Sequence, residues 1–251
     1  MEKYLEFSKL LIQSRYAVAL TGAGISVESG IPDFRSKEGL WTKYDPFEYG
    51  HIDAFRANPA KVWKLLLEMQ ALAENARPNE AHLALGELER MGIIKVVITQ
   101  NVDSLHQRGG SCNVVEFHGN FREMHCDNCN RPFVPDDISV RTIPPLCSCG
   151  GPIRPDVVLF GEPIPRHAYA RAFDAAGMCD LMLVVGTSAT VAPASELPLV
   201  ASRNGARILE INPQSSEMSV FLTELHIMEP ATAALRNIME MVKSMRAKDT
   251  N

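Results

Sequence analysis

The stretch Ala17-Val18-Ala19-Leu20-Thr21-Gly22-Ala23-Gly24 is a short apolar run that stops on two glycines. Such a run suits a buried strand, and glycines directly after a strand allow a tight turn whose backbone N–H groups can approach a phosphate closely. The continuation, Ile25-Ser26-Val27-Glu28-Ser29-Gly30, does not complete the GxGxxG spacing of a dinucleotide fingerprint. Two glycines at a strand end also occur for steric reasons alone. The turn predicts a strand feeding a glycine loop and leaves its ligand open.

Working outward, apolar residues at Leu5, Leu10 and Leu11 predict an amphipathic helix before this strand. Residues 36–57 mix aromatics, Gly and Pro without a period and read as a long loop. Helices are predicted from Pro59 to about Asn75 and from Asn79 to about Met91, each starting at an Asn or Pro signal. Strands are predicted at Lys95–Thr99, Asn113–Phe117, Val157–Phe160, Leu181–Val185 and Ala206–Ile211. Further helices are expected at about His167–Gly177, between the last two strands, and from Ala231 to Met245. Strands alternating with helices predict an α/β fold with a parallel sheet.

The bulk numbers set limits. The 251 residues are 46% hydrophobic, enough for a sizeable core, and the formal net charge of −5 offers no basic footprint for nucleic acid. No apolar run approaches the roughly 20 residues of a membrane span. The start, MEKYLEFSKLLIQSRY, carries mixed charges at helical spacing and lacks the pattern of a signal peptide. A cytosolic protein is expected, in which clustered thiols stay reduced and point to metal.

Those thiols are Cys126-Asp-Asn-Cys129 and Cys147-Ser-Cys149, separated by 17 residues and flanked by turn formers. Four sulfurs on two tight turns make a closed tetrahedral zinc site, which is structural because no position is left for water. The intervening segment is poor in large apolar residues, so metal ligation would supply stability that burial cannot. His125 stands by as a reserve ligand, more simply read as a solvent-side residue. Cys112 and Cys179 read as buried apolar residues.

Other motifs line up with the glycine loop: Gly30-Ile31-Pro32-Asp33-Phe34-Arg35, Thr99-Gln100-Asn101-Val102-Asp103, Phe117-His118-Gly119, Val158-Leu159-Phe160-Gly161-Glu162, Val185-Gly186-Thr187-Ser188 and Glu210-Ile211-Asn212-Pro213. In this order, with the cysteines between the fourth and third of these, the set resembles the sirtuin family over essentially the whole chain. The resemblance implies a Rossmann-like parallel-sheet domain (1–35, 93–120 and 157–251) carrying a helical and cofactor-loop insert (36–92) and a zinc-binding module (121–156). It implies NAD as co-substrate. The acyl-lysine carbonyl oxygen displaces nicotinamide, a ribose hydroxyl then attacks, and O-acyl-ADP-ribose is released. By motif, His118 would be the general base, an imidazole suited to taking a hydroxyl proton at neutral pH. Asn101 and Gln100 would hold the nicotinamide ribose, and Asp103 with the Ile31 backbone the carboxamide; Asp103 also reads as a helix cap. Gly22, Ala23, Gly24 and Asp33 would bind the cofactor, Phe34 would cover the reaction centre, and Arg35 would organise the cofactor loop near the phosphates. Gly186, Thr187 and Ser188 would cradle phosphate or ribose, Asn212 the adenosine ribose, and the Ala231 backbone the adenine side. Val158, Phe160, Gly161 and Glu162 would form the edge to which an acylated-lysine protein or peptide adds as a strand.

Relatives that remove acidic acyl groups carry a Tyr and an Arg where this chain has Leu66 and Met69. An apolar pair suits acetyl and longer fatty acyl groups and disfavours succinyl, although both residues also read as the core face of a helix. Departures from the family are the short second cysteine pair and Glu229-Pro230-Ala231-Thr232 near the adenine position. A hydride-transferring dehydrogenase lacks its fingerprint here, and a non-enzymatic zinc-module protein would not need His118, Asn101 and Asp103. Mono-ADP-ribosyl transfer from the same NAD site is the alternative the motifs leave open.

Overall fold

In the computed structural model, which describes residues 2–134 and 142–249, the opening apolar run is a strand, β1 (Ala17–Thr21), buried along its whole length. Next come β2 (Ile94–Thr99) and β3 (Val114–Glu116). The chain then builds a separate antiparallel sheet from β4 (Gly119–Cys126), β5 (Pro132–Phe133) and β6 (Ile153–Val157). It returns with β7 (Leu181–Val185), β8 (Arg207–Ile211) and β9 (Thr223–Ile227). The large sheet has the order β3-β2-β1-β7-β8-β9, and every neighbouring pair is parallel. The chain thus steps outward from β1 in one direction, then crosses back to β7 and steps outward in the other. In open α/β sheets the crevice at this reversal, beyond the carboxyl ends of the strands, is where ligands bind.

Helices cover both faces. They are α1 (Glu2–Gln13), α2 (Leu40–Lys43), α3 (Pro46–Tyr49), α4 (Ile52–Ala57), α5 (Pro59–Asn75), α6 (Glu80–Arg90) and α7 (Leu105–Arg108). They continue with α8 (Arg166–Met178), α9 (Leu197–Arg203), α10 (Glu217–Phe221) and α11 (Ala231–Asp249). On one face α1, α6 and α11 bury Phe7, Leu11, Leu85, Leu88, Leu235 and Ile238 against the sheet. On the other, α8 and α9 contribute Ala172, Ala176, Leu197 and Ala201. A third cluster joins Phe55, Trp63 and Leu66 from α4 and α5 to Phe121, Met124 and Ile153 of the small sheet. Each fully buried Leu, Ile or Phe of these clusters contributes about 1.5–3 kcal/mol relative to exposure. Trp63 adds a directed bond, its Nε1 donating to the Ile153 carbonyl at 3.0 Å.

Local chemistry sets the helix starts. Asn58 accepts from the Lys61 amide with Pro59 at the first helical position, and Asn79 forms a capping box with His82.

Several expectations need correction. The stretch 36–57 is not a plain loop but carries α2, α3 and α4; α3 and α4 start at the N-caps Asp45 and His51, and all three helices are too short for a period to show. The strand expected at Val157–Phe160 lies earlier, as β6, and is antiparallel to β4. Beyond Val157 the chain forms only isolated contacts: Val158 N–H to the His118 carbonyl, and a single parallel bridge of Phe160 to His51. The sequence pattern does not predict α10, nor β9, whose Thr-Glu-Leu-His-Ile is only half-buried at the sheet edge. Cys112 is exposed rather than buried, whereas Cys179 is buried.

Candidate active site and metal centre

The loops that leave β1, β2, β3, β7 and β8 carry most of the residues singled out by motif. Gly22 N–H donates to the Val185 carbonyl at 3.1 Å and Gly24 N–H to the Gly186 carbonyl at 2.8 Å. The two loops meet so closely that a Cβ on Gly24 would lie 2.7 Å from Gly186 Cα. Gly186 itself has φ +60, so its own Cβ would strain the backbone and strike Ile25 N at 2.5 Å. The turn therefore serves close approach of two backbones at the sheet's reversal point.

Gln100 reaches across the same point, its Nε2 donating to Thr187 Oγ1 at 2.9 Å. Asn212 Nδ2 donates to the Thr187 carbonyl at 3.2 Å, and Arg35 Nη1 to Ser188 Oγ at 3.3 Å. Gly22, Gly24, Arg35, Gln100, Gly186, Thr187, Ser188 and Asn212 are thus brought together. Asp33 instead closes its own turn, accepting from the Arg35 and Ser36 amides at 3.0 and 2.8 Å. Phe34 packs on Trp41 with ring centroids 5.2 Å apart, and Trp41 on Phe160 at 6.0 Å, so an aromatic row spans from the loop to the 158–162 segment. Ala231 is the buried first residue of α11, where the Thr232 hydroxyl and amide donate to Glu28.

A buried polar cluster lies behind the loops. Asn101 Nδ2 donates to Ser26 Oγ at 3.1 Å, and Ser26 donates to Asp103 Oδ2 at 2.7 Å. Asp103 Oδ1 accepts from the Leu105 amide at 2.9 Å, so it also serves the start of α7. Burial raises the Asp103 pKa, opposed by hydrogen bonds from Leu105, Ser26 and Asn101. Ser26 also faces His82 Nε2 at 3.4 Å. His106 Nε2 lies 2.8 Å from Thr21 Oγ1, which donates to Thr99 Oγ1, and Thr99 accepts the Asn101 amide. Burial depresses His82 to about 4 and His106 to about 3, the latter helped by His82. Ser26, His82 and His106 carry no assigned part in the sequence reading. A His on an apolar helix face looks like core, and only the fold brings it to Ser26.

His118 follows β3. Its Nδ1 lies 3.1 Å from the Gln100 carbonyl, an acceptor, so Nδ1 carries the hydrogen and Nε2 is left with a free lone pair. Burial lowers the His118 pKa, with the Gln100 contact pulling the other way. The ring is neutral at physiological pH and can accept a proton.

Past His118, Val158–Glu162 runs beside α4: Ile52 N–H donates to the Phe160 carbonyl at 3.0 Å and Phe160 N–H to Gly50 at 2.8 Å. Glu162 turns its carboxylate inward, accepting from the Leu159 amide at 2.9 Å and pairing with Arg154. A Cβ on Gly161 would meet the His51 ring at 2.7 Å. Leu66 is buried in the third core cluster, and Met69 packs half-buried against it.

The sulfurs of Cys126, Cys129, Cys147 and Cys149 all lie within 4.8 Å of one another. Cys126 and Cys149 are 3.5 Å apart, Cys129 and Cys147 3.8 Å. Tetrahedral zinc at a Zn–S distance of about 2.3 Å places sulfurs roughly 3.8 Å apart, so the four fit zinc, and the short C-x-C pair does not spoil the geometry. The Gly151 amide lowers the Cys149 thiol pKa, while hydrogen bonding among the clustered sulfurs raises that of Cys129; bound zinc would hold all four as thiolates. His125 pairs with Asp156 instead of joining the sulfurs.

Residues 22–193 match the profile of the Sir2 family. The chain is 45% identical to NAD-dependent protein deacylase 2 of Pyrobaculum aerophilum over 240 residues, 95% of this chain and 96% of that one. It is 47% identical to NAD-dependent protein deacylase 1 of Archaeoglobus fulgidus, over 84% and 86% of the two chains. A solved Sir2 homolog–NAD complex superimposes with a TM-score of 0.88 at 42% identity, covering 96% of this chain and 94% of that one. A Sir2 protein solved with a deacetylated p53 peptide and 3′-O-acetyl ADP-ribose gives 0.87 at 38% identity, covering 94% and 96%.

Proposed function

This chain belongs to the Sir2 family and is an NAD-dependent protein deacylase, and from that premise we propose that it moves acyl groups, acetyl foremost, from protein lysines to ADP-ribose with His118 as general base. The observation that carries this reading is the His118 ring. It is oriented by the Gln100 carbonyl, kept neutral by burial, and left with Nε2 free to take the proton of a ribose hydroxyl. Asn101 and Asp103, locked together through Ser26, would orient the nicotinamide end of NAD. The Gly22–Gly24 turn would admit the phosphates at the sheet's reversal point, with Ile31, Ala23, Asp33, Phe34 and Arg35 forming the loop above. Gln100, Thr187 and Ser188 would face the riboses, and Asn212 and Ala231 the adenosine half.

The peptide would add along Val158–Glu162, held mainly by main-chain hydrogen bonds and therefore tolerant of flanking sequence. Zinc would sit on the four cysteines as a structural ion and take no part in the chemistry. Four thiolates on one ion need reduced cysteines, which supports a cytosolic setting. Among the described residues no helix is long and apolar enough to cross a membrane.

The test is mass-spectrometric product analysis with NAD and acetyl-, myristoyl- and succinyl-lysine peptides. Expected are deacylated peptide, nicotinamide and O-acyl-ADP-ribose in equal amounts, with succinyl poorest because Leu66 and Met69 offer no cation. ADP-ribose added to a protein acceptor without deacylation would instead establish the transferase.

A further inference from the structure

Arg154 is buried, yet all three of its guanidinium nitrogens are engaged. Nε donates to Asp127 Oδ1 at 3.0 Å, Nη1 to the Val157 carbonyl at 3.2 Å and to Glu162 Oε2 at 3.1 Å, and Nη2 pairs with Glu162 Oε1. The guanidinium carbon lies 5.5 Å from the Phe55 ring centroid. Asp127 belongs to the turn between Cys126 and Cys129 and also faces Arg56 at 3.7 Å. Glu162 passes the link onward by accepting from the Leu159 amide at 2.9 Å. One cation thus joins the cysteine turn, the end of β6 and the 158–162 segment. A planar fork with five donors can do this; the point charge of a lysine cannot.

The segment 158–162 belongs to no sheet. Its course is fixed by Val158 N–H on His118, by Phe160 bonded through its N–H to Gly50 and its carbonyl from Ile52, and by Leu159 N–H on Glu162, the last held in place by Arg154. Arg154 makes no contact with the cluster around His118 or Asn101, so the chemical steps do not use it. We propose that Arg154 is a positioning residue for extended substrates: it preforms the main-chain edge to which the acyl-lysine peptide adds. This rests on the strand-addition reading above. Preorganising an edge removes an ordering penalty from binding, so the benefit goes to substrates that pair along it.

The experiment compares Arg154→Lys, Glu162→Gln and wild type on two substrates, an extended acetyl-lysine peptide and a capped single acetyl-lysine. NAD KM and zinc content are measured alongside. Arg154→Lys should raise the extended-peptide KM about tenfold and Glu162→Gln about threefold. Zinc and NAD KM should stay within about twofold of wild type in both variants, and in Arg154→Lys so should kcat/KM on the capped residue. Equal losses on both substrates would make Arg154 mere structural glue, and an unchanged peptide KM in both variants would also overturn the proposal. If Arg154→Lys does not fold, Glu162→Gln decides, since its amide oxygen can still accept from Leu159. A wild type that gains nothing from flanking residues would sink the strand-addition reading itself, and the proposal with it.

Discussion

His118 serves as a base only while its ring is neutral, and burial favours that form. The acidic limb of kcat/KM should therefore begin below the ordinary imidazole value of about 6.5. A limb centred above that value would place the titrating base elsewhere. His118→Ala should lower turnover by about 10²–10⁴ while leaving NAD affinity and melting temperature unchanged. At Gly186, φ +60 and a Cβ 2.5 Å from Ile25 N predict that Gly186→Ala opens the two loops. NAD affinity by calorimetry should fall about tenfold or more, with zinc retained. Both positions stood out in the sequence because their motifs are contiguous. Ser26, His82 and Arg154 gained their meaning only from partners far along the chain: Ser26 reaches Asp103, His82 lies beside Ser26, and Arg154 holds Asp127 and Glu162. No local pattern marks such a pairing.

Among the elements, those with a sustained period were legible and those shaped by single contacts were not. β1 and β7 are nearly continuous apolar runs because both faces are covered, and α5 and α6 begin at Asn caps. β4 hides because its burial does not alternate, and its register against β6 is irregular between Gly119 and Met124. That small sheet has few strands and a short β5, so its stability should depend on the metal. Cys126→Ala is expected to lose zinc, measured by elemental analysis, and to expose the 119–157 region to protease before the parallel sheet opens. Zinc-free wild-type protein with an unchanged melting curve would contradict the structural-metal assignment. Gly151→Ala should act the same way, because its Cβ would lie 2.8 Å from Cys126 Sγ.

At the scale of the whole molecule, β1, β2, α6 and α7 converge on two imidazoles that the fold keeps away from water. His82 and His106 are 0% and 1% exposed, with ring centroids 5.0 Å apart. Their folded pKa values, about 4 and about 3, lie below the unfolded value, so both stay neutral in the fold. Above about pH 6.5 neither the folded nor the unfolded chain protonates them, and their contribution to stability is fully present. Below it the unfolded chain takes up protons that the folded chain refuses, and stability falls. At about 1.4 kcal/mol per pH unit, each ring gives up about 2 kcal/mol by pH 5, a large share of a typical folding free energy of 5–15 kcal/mol. His118 acts in the same direction, while Asp103, whose pKa is raised by burial, works against it. Asp180 and Glu224, whose pKa values are lowered, contribute only at more acidic pH. Urea unfolding between pH 7 and 5 should therefore show stability dropping with a slope that steepens towards two protons per molecule near pH 5. His106→Asn should be less stable at pH 7 but lose less on acidification. A wild-type profile that stays flat over this range would mean that the two rings are protonated inside the fold, where His106 Nδ1, which has no hydrogen-bond partner among the described residues, would carry a buried and unpaired N–H.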